Sequence, residues 1–218
     1  MKTAMILAAG RGERLKPFTH SLPKALSLVH NTPLIEHHVK NLAKAGYEKI
    51  VINHAYLGGM IRQYLGNGER WGLQIEYSPE PPGGLETGGG IVNALPLLGK
   101  EPFLVINGDI LTNYPFADSA IATPYLAHLV LVKRPKYQSK GDFGLLTTRL
   151  VENETQEYTF TGIAYYHPDV FNSLRVGRFS LTPILRQLVQ KQQVLGELFE
   201  GKWIDIGTPE RLAQANQS

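Results

Sequence analysis

The 218-residue sequence contains no cysteine, which excludes disulfides, thiolate catalysis and Cys-ligated zinc but does not fix the compartment. Long apolar runs are missing as well, and no segment approaches the roughly 20 residues of a membrane span. The apolar stretch behind Met1-Lys2, Ala4–Ala9, is six residues long and runs into Gly10-Arg11-Gly12-Glu13-Arg14. A signal peptide needs a longer apolar core and a small-residue cleavage site without charges directly behind it. A cytoplasmic protein with no membrane partner is therefore expected. There is no internal repeat and no low-complexity tract. The net charge of +3 is not gathered into a basic run or stripe, so a small anion is expected as partner rather than nucleic acid.

What is present is ordinary globular material. With 43% hydrophobic residues over this length, roughly 70% of the unfolded surface can be buried without a structural metal. Ala4–Ala9 reads as a buried strand. Pro33–Ala45 reads as a helix with Leu34, Ile35, Val39 and Leu42 on one face and Gly46 placed to end it. Lys49–Asn53 is the next strand, Met60–Leu65 a short helix, and Leu73–Tyr77 a half-exposed strand. Ile91–Leu98 is helical, with Pro96 placed to shorten or kink it, and Phe103–Asn107 is a continuous apolar strand. The second half predicts strands at His128–Lys133, Phe143–Leu150 and Tyr158–Tyr166, the last two joined by the acidic stretch Val151–Glu157. A helix at Leu181–Gln190, a strand at Lys202–Ile206 and a last helix opening at Pro209 follow. This alternation predicts an α/β fold: one Rossmann-like, three-layer domain over 1–218 with a mostly parallel, mixed central sheet.

Four motifs are candidates for chemistry. A buried strand runs into Gly10-Arg11-Gly12, where bare backbone can approach a ligand and aim N–H groups at phosphate. Arg11, Arg14 and Lys24 add cations around the same turn. The loop is not a dinucleotide fingerprint, because Leu15 stands where the third glycine belongs, and no Gly-Lys-Ser/Thr run makes a P-loop. Asn107-Gly108-Asp109 puts a carboxylate at the end of an apolar strand, where open α/β sheets bind ligands, although the tripeptide also suits an ordinary turn. Asp205, in Trp203-Ile204-Asp205-Ile206-Gly207, follows strand-like residues 96 positions later, with Thr208-Pro209 as N-cap and first residue of the last helix. Two hard carboxylates with sites left for phosphate oxygens suit magnesium. Leu85-Glu86-Thr87-Gly88-Gly89-Gly90 reads as a bare loop before a helix, open to a flat ligand or simply flexible. His37-His38 point in different directions from a helix, which is poor geometry for one metal.

Leu7–Leu15 with Pro23-Lys24 resembles the signature of the sugar-nucleotidyltransferases, Gly-Gly-X-Gly-Thr-Arg-Leu with a downstream Pro-Lys. Ala9 replaces the first glycine and Glu13 the threonine. The resemblance covers essentially the whole chain. It implies that 1–115 mainly binds nucleotide and 116–218 mainly sugar phosphate. It further implies that Gly10, Arg11 and Gly12, with Glu13 and Asn107, cradle the nucleotide, that Arg14 and Lys24 act on its phosphates, and that Asp109 and Asp205 hold Mg2+. Glu86, Thr87 and Gly88 would then read the base. The Leu85–Gly90 string, Gly141-Asp142-Phe143 and Phe160-Thr161-Gly162-Ile163 resemble the branch that uridylylates N-acetylmuramate 1-phosphate in bacterial cell-wall recycling. Gly141, Asp142, Thr161 and Gly162 are its implied sugar-binding residues, and Glu152 is a further sugar-ligand candidate, in competition with Glu154 and Glu157, in a stretch that also suits a solvated loop.

One departure stands out. Many relatives carry Glu-Lys-Pro where this chain has Val151–Glu157, so Lys133, Arg134, Lys140 and Lys202 are the alternatives for the sugar phosphate. The expected reaction is transfer of the uridylyl group of UTP to a sugar 1-phosphate, releasing pyrophosphate. Rival readings are a glucose or mannose 1-phosphate nucleotidyltransferase, a metal-dependent glycosyltransferase using Asn107-Gly108-Asp109, and a catalytically silent nucleotide-binding module. Nothing sets the oligomeric state, with a monomer favoured.

Overall fold

Alternating side chains on the central strands divide the apolar residues between two faces. In β1 (Thr3–Leu7), Ala4 and Ile6 join one core while Met5 joins the other. The computed structural model of the chain describes residues 1–117, 121 and 123–217. After β1 come a small hairpin, β2 (Leu28–Val29) and β3 (Thr32–Pro33), then α1 (Leu34–Lys44), β4 (Lys49–His54), α2 (Gly58–Leu65) and β5 (Gln74–Pro79). Next are α3 (Glu86–Leu98), β6 (Phe103–Asn107), β7 (Ile110–Thr112) and β8 (Ala127–Lys133). The chain continues through β9 (Gly144–Leu145), β10 (Val151–Glu152), β11 (Tyr158–Tyr166), α4 (Thr182–Gln190), β12 (Val194–Leu198), β13 (Trp203–Asp205) and α5 (Pro209–Gln217).

Seven strands form the central sheet in the order β12-β8-β11-β6-β1-β4-β5. Only the two pairings of β11 are antiparallel; the others are parallel, which is the α/β, mostly parallel mixed sheet expected. Right-handed crossovers explain the layers. While the chain steps outward from β1 to β4 and β5, α1 and α2 lie on one face, burying Ile35, Val39, Leu42, Ile61 and Leu65. When it returns past β1 to β6, α3 falls on the opposite face with Ile91, Val92 and Leu98, joined later by Leu185, Leu188 and Val189 of α4. Each such fully buried aliphatic side chain contributes roughly 1.5–3 kcal/mol. A small third core of Val29, Leu34, Leu111, Ile206 and Ala215 fastens α5 and the β7–β13 ribbon to the main body. Among the described residues no helix is long and apolar enough to cross a membrane.

Four local expectations are corrected. The helix after Leu85 begins at Glu86, so Gly88–Gly90 lie inside α3 and are buried rather than forming a loop. Glycine inside a helix costs about 1 kcal/mol against alanine, and here close packing requires it. A Cβ on Gly88 would lie 2.5 Å from Phe179, and one on Gly89 would lie 1.8 Å from the Gly177 carbonyl oxygen. Pro96 does not end the helix, which runs on to Leu98. Phe143–Leu150 is not one strand: Gly144–Leu145 pairs with Val151–Glu152 from the stretch expected to be a connection, while Phe143 and Leu150 make only isolated bridges to Tyr158 and Leu195. Finally β12 was not expected. Its central Gly196 blurs the strand pattern, yet a Cβ there would meet the Val151 side chain at 2.8 Å.

This packing predicts opposite outcomes for two helical glycines. Gly89→Ala should lower unfolding free energy by about 1–3 kcal/mol, the usual cost of overpacking. Gly59→Ala in α2, where a Cβ meets nothing within 4 Å, should raise it by about 0.5–1 kcal/mol. Urea denaturation of both variants checks the pair, and an unharmed Gly89→Ala protein would contradict the close approach.

Candidate active site

The site arises where the strand order reverses. β1 and β6 are neighbours, with Leu7 in register with Asn107, but the chain leaves them in different directions. Open α/β sheets form a crevice at such a point, beyond the carboxyl ends of the strands. The Gly108 amide donates to the Leu7 carbonyl at 2.9 Å, and a Cβ on Gly108 would approach that oxygen to 2.7 Å, so glycine is needed there. Above this contact opens a cavity of about 430 Å3.

One wall is the loop after β1. Gly12 has a left-handed backbone (φ 65°), and the Thr19 hydroxyl donates to its carbonyl at 2.8 Å. Buried Leu15 anchors the single 3-10 turn Glu13–Leu15, leaving Arg14 exposed at the cavity wall. Gly10, Arg11, Gly12 and Glu13 line the same wall. Arg11 lies 5.4 Å from the centre of the Tyr56 ring. Glu13 sits at the rim, paired with Lys16, whose hydrogen bond and charge hold the carboxyl below the usual range.

The opposite wall carries Asn107 and Asp109. The Asp109 carboxylate pairs with Lys24 at 2.6 Å, with the lysine 12% exposed. Asp205 lies on β13 across from Ile110 of β7, and the Ile206 amide donates to the Asp109 carbonyl at 2.8 Å. The segments that carry these two aspartates, distant in sequence, are thereby brought side by side, Asp109 in the turn before β7 and Asp205 on β13. Asp205 does not itself line the cavity, although Gly207 does, and its carboxylate pairs with Arg211 at 2.5 Å. Thr208 caps α5 by accepting from the Arg211 amide at 3.4 Å. His37 bonds the Val29 carbonyl, and His38 is buried without a hydrogen bond at either ring nitrogen. Among the described residues no group of three or more His, Cys, Asp or Glu side chains could hold a metal. A cation here would rest on the two aspartates and on oxygens of its ligand.

The third wall is the start of α3. Glu86 takes a left-handed backbone (φ 60°) and pairs with Arg178 at 3.2 Å, both at the cavity. Thr87 also lines it, but its hydroxyl oxygen accepts from the Leu181 amide at 3.0 Å. Gly88 does not reach the cavity; its amide donates to the Phe179 carbonyl at 3.0 Å. Gly88 therefore serves as a packing position, where a base-reading one was expected. Asn53, Glu80 and Arg178 complete the lining. None belongs to a motif, and only the fold reveals them.

A second cavity of about 160 Å3 adjoins the first and shares Leu7, Thr87 and Asn107 with it. Asp142 and Gly162 line it together with apolar Val105, Phe160, Leu181 and Leu185. The Asp142 carboxylate accepts from the Phe160 amide at 2.9 Å. Gly162 (φ 81°) lies in a β-bulge of β11, close enough to Asn107 that a Cβ would meet its Nδ2 at 2.4 Å. The other expected sugar residues lie elsewhere. Gly141 is buried under the Gln156 and Tyr158 carbonyls. The Thr161 hydroxyl donates to the Val130 carbonyl at 2.7 Å. Glu152 is turned into its own loop, accepting from Glu154 and Thr155; partial burial raises its carboxyl, and those hydrogen bonds outweigh it, leaving it below the usual range. Lys133, Arg134, Lys140 and Lys202 line neither cavity. Lys133 pairs with Glu200, and Arg134 donates to the Gln138 carbonyl.

The large cavity thus presents Arg11, Arg14, Lys24 and Arg178 together with bare backbone, and among the described residues its lining holds no histidine, serine or cysteine. Such a surface suits a polyanion that must be positioned and neutralised more than one that must be attacked by the protein. Comparison with known proteins agrees in kind. The profile of the family described as nucleotidyl transferase matches residues 3–218. The chain is 46% identical to N-acetylmuramate alpha-1-phosphate uridylyltransferase of Neisseria meningitidis serogroup B, over 97% of this chain and 96% of that protein. It is 33% identical to the protein of the same name from Caulobacter vibrioides, over 98% of each. Its fold is similar to that of a Bacillus anthracis protein named as a glucose-1-phosphate thymidylyltransferase, with a TM-score of 0.87 at 24% identity over 100% of this chain and 94% of that one. The chain belongs to the nucleotidyl transferase family.

Proposed function

We propose that this chain transfers the uridylyl group of UTP to N-acetylmuramic acid alpha-1-phosphate, a cytoplasmic step of peptidoglycan recycling, with UDP-sugar and pyrophosphate as products. The observation that carries the proposal is the joining of two cavities at Leu7, Thr87 and Asn107, beside the Lys24–Asp109 pair. The larger takes the nucleotide and the smaller the sugar, so that the two phosphates meet at the junction. The full-length likeness to the Neisseria relative supports the choice of sugar and base.

A sugar phosphate is a competent nucleophile at neutral pH, so positioning and charge neutralisation suffice. Gly10, Gly12 and Arg11 cradle the triphosphate. Arg14 and Lys24 stabilise the charge that gathers on departing pyrophosphate. Asp109, in the turn before β7, and Asp205 on β13 are the hard donors that would hold a magnesium ion, which when bound neutralises phosphate oxygens. Glu86 lines only the large cavity and forms the base side, whereas Thr87 lines both cavities at their junction. Arg178, a lining cation of the large cavity, takes the place of the missing Glu-Lys-Pro lysine at the sugar phosphate. Asp142, Asn107 and Gly162 face the sugar, and the apolar lining accommodates its acetamido and lactyl methyl groups.

Pyrophosphate release in UTP and magnesium, measured with a panel of sugar 1-phosphates, tests this reading. N-acetylmuramic acid 1-phosphate should give a higher kcat/KM than N-acetylglucosamine or glucose 1-phosphate. A preference for glucose 1-phosphate would overturn the sugar assignment and leave the uridylyl transfer standing, whereas release without any sugar phosphate would overturn both.

The cations should separate by role. Lys24→Ala removes the partner of Asp109 and a stabiliser of developing charge, so kcat should fall about a hundred- to a thousandfold. Arg11→Ala removes an exposed cation resting on Tyr56 and should cost no more than about tenfold, mainly in KM for UTP. Equal and mild effects in steady-state kinetics would make the loop a basic surface rather than a catalytic one.

A further inference from the structure

Asn53 and Glu80 join two walls of the large cavity. Asn53, 2% exposed, stands near the end of β4 in register with Leu7. Its Oδ1 accepts from the Ala8 amide at 2.7 Å, and its Nδ2 donates to Glu80 Oε1 at 2.6 Å. The other carboxylate oxygen of Glu80 accepts from the Leu85 amide at 2.7 Å. One uninterrupted chain of hydrogen bonds therefore runs from the first residue after β1 to the residue that opens α3. The helix is shaped around it, since a Cβ on Gly90 would lie 2.6 Å from Glu80 Oε1 and 2.7 Å from Asn53 Nδ2. This explains the third glycine of the triplet, as Phe179 and Gly177 explain the first two.

We propose that Asn53 and Glu80 are positioning residues that set the separation between the glycine loop and the start of α3, and with it the affinity for the nucleotide. Two of the three bonds end on a carboxylate, and charge-assisted bonds of this kind are roughly twice as strong as neutral ones. Ala8 leads directly into Gly10–Gly12, so a displaced Ala8 amide displaces the phosphate-binding backbone. Leu85 leads directly into Glu86 and Thr87, so the opposite wall moves with the same relay. The inference rests on the nucleotide reading of this cavity.

The direction of the bonds supplies a stringent test. Both backbone amides need an acceptor, so the two side chains between them must offer one donor facing one acceptor. Asn53→Asp sets carboxylate against carboxylate. Glu80→Gln has to turn its amide nitrogen toward one of two donors. The double variant restores every bond with the polarity reversed: the new aspartate accepts from Ala8 and from the new glutamine, whose oxygen accepts from Leu85. The total charge of the double variant is that of the original pair.

Each single variant should weaken UTP binding about tenfold or more, the effect of one lost hydrogen bond to a charged group. The double variant should return to within about threefold of the unaltered protein. Titration calorimetry with UTP gives the affinities, and steady-state kinetics should show KM rising for UTP but not for the sugar phosphate. Thermal melts report stability separately. A double variant as weak as the worse single one would overturn the inference, as would single variants that lose stability while binding UTP normally. Failure of the unaltered protein to bind UTP would instead overturn the nucleotide reading and this inference with it.

Discussion

One backbone hydrogen bond, from the Gly108 amide to the Leu7 carbonyl at 2.9 Å, lies beneath everything the site does. It ties the loops leaving β1 and β6 at their roots, just where the strand order reverses and the two chains part. On one side the chain enters Gly10–Arg14, and on the other it reaches Asp109. Lys24 then spans the opening to Asp109. A side chain at position 108 would force these roots apart, so the glycine between Asn107 and Asp109 has a geometric cause. Parallel strands buried on both faces by α1, α2, α3 and α4 supply the stiffness that makes such a junction reproducible.

The charges around that junction are arranged in opposed pairs: Lys24 with Asp109, Arg211 with Asp205, Arg178 with Glu86. The first two pairings keep partly buried charges from being left alone, which would be costly, while the Arg178–Glu86 pair is exposed. Pairing also holds each cation near the cavity without committing it irreversibly, since these partners remain partly open to water. In the proposed reaction an arriving polyanion would compete for the same cations, and a divalent ion for the same carboxylates. Such a site would exchange ionic partners rather than attack covalently, in keeping with a lining that, among the described residues, offers no histidine, serine or cysteine.

Much of this was legible in the residues, and the gaps have physical reasons. Continuous apolar runs such as Phe103–Asn107 announced buried parallel strands, and the alternation of elements announced the layered fold. Gly10–Arg14, Lys24 and Asp109 could be picked out because glycines, cations and a strand-end carboxylate have few other uses in that combination. Gly88–Gly90 misled, because glycine that signals a loop in sequence was present to admit neighbours: Phe179, Gly177 and the Asn53–Glu80 pair. Glu152 misled for a related reason, since an acid two residues from an amide donor readily folds back into its own turn. Asn53, Glu80 and Arg178 were invisible, for each is joined to the site by a contact that spans 27 to 92 residues of sequence. Thr161 and Gly162 looked like a motif and are a β-bulge, with only the glycine open to the second cavity.

In the proposed reaction the protein positions two phosphates and bonds to neither. The stereochemistry at the transferred phosphorus decides whether it does. With UTP made chiral at the α-phosphorus by one sulfur substitution and N-acetylmuramic acid 1-phosphate as acceptor, a single in-line displacement between two bound substrates inverts the configuration in the UDP-sugar product. Inversion is the predicted result. Retention would mean two successive displacements through a uridylylated side chain, and would contradict the claim that the residues around the Lys24–Asp109 pair work by placement and charge alone.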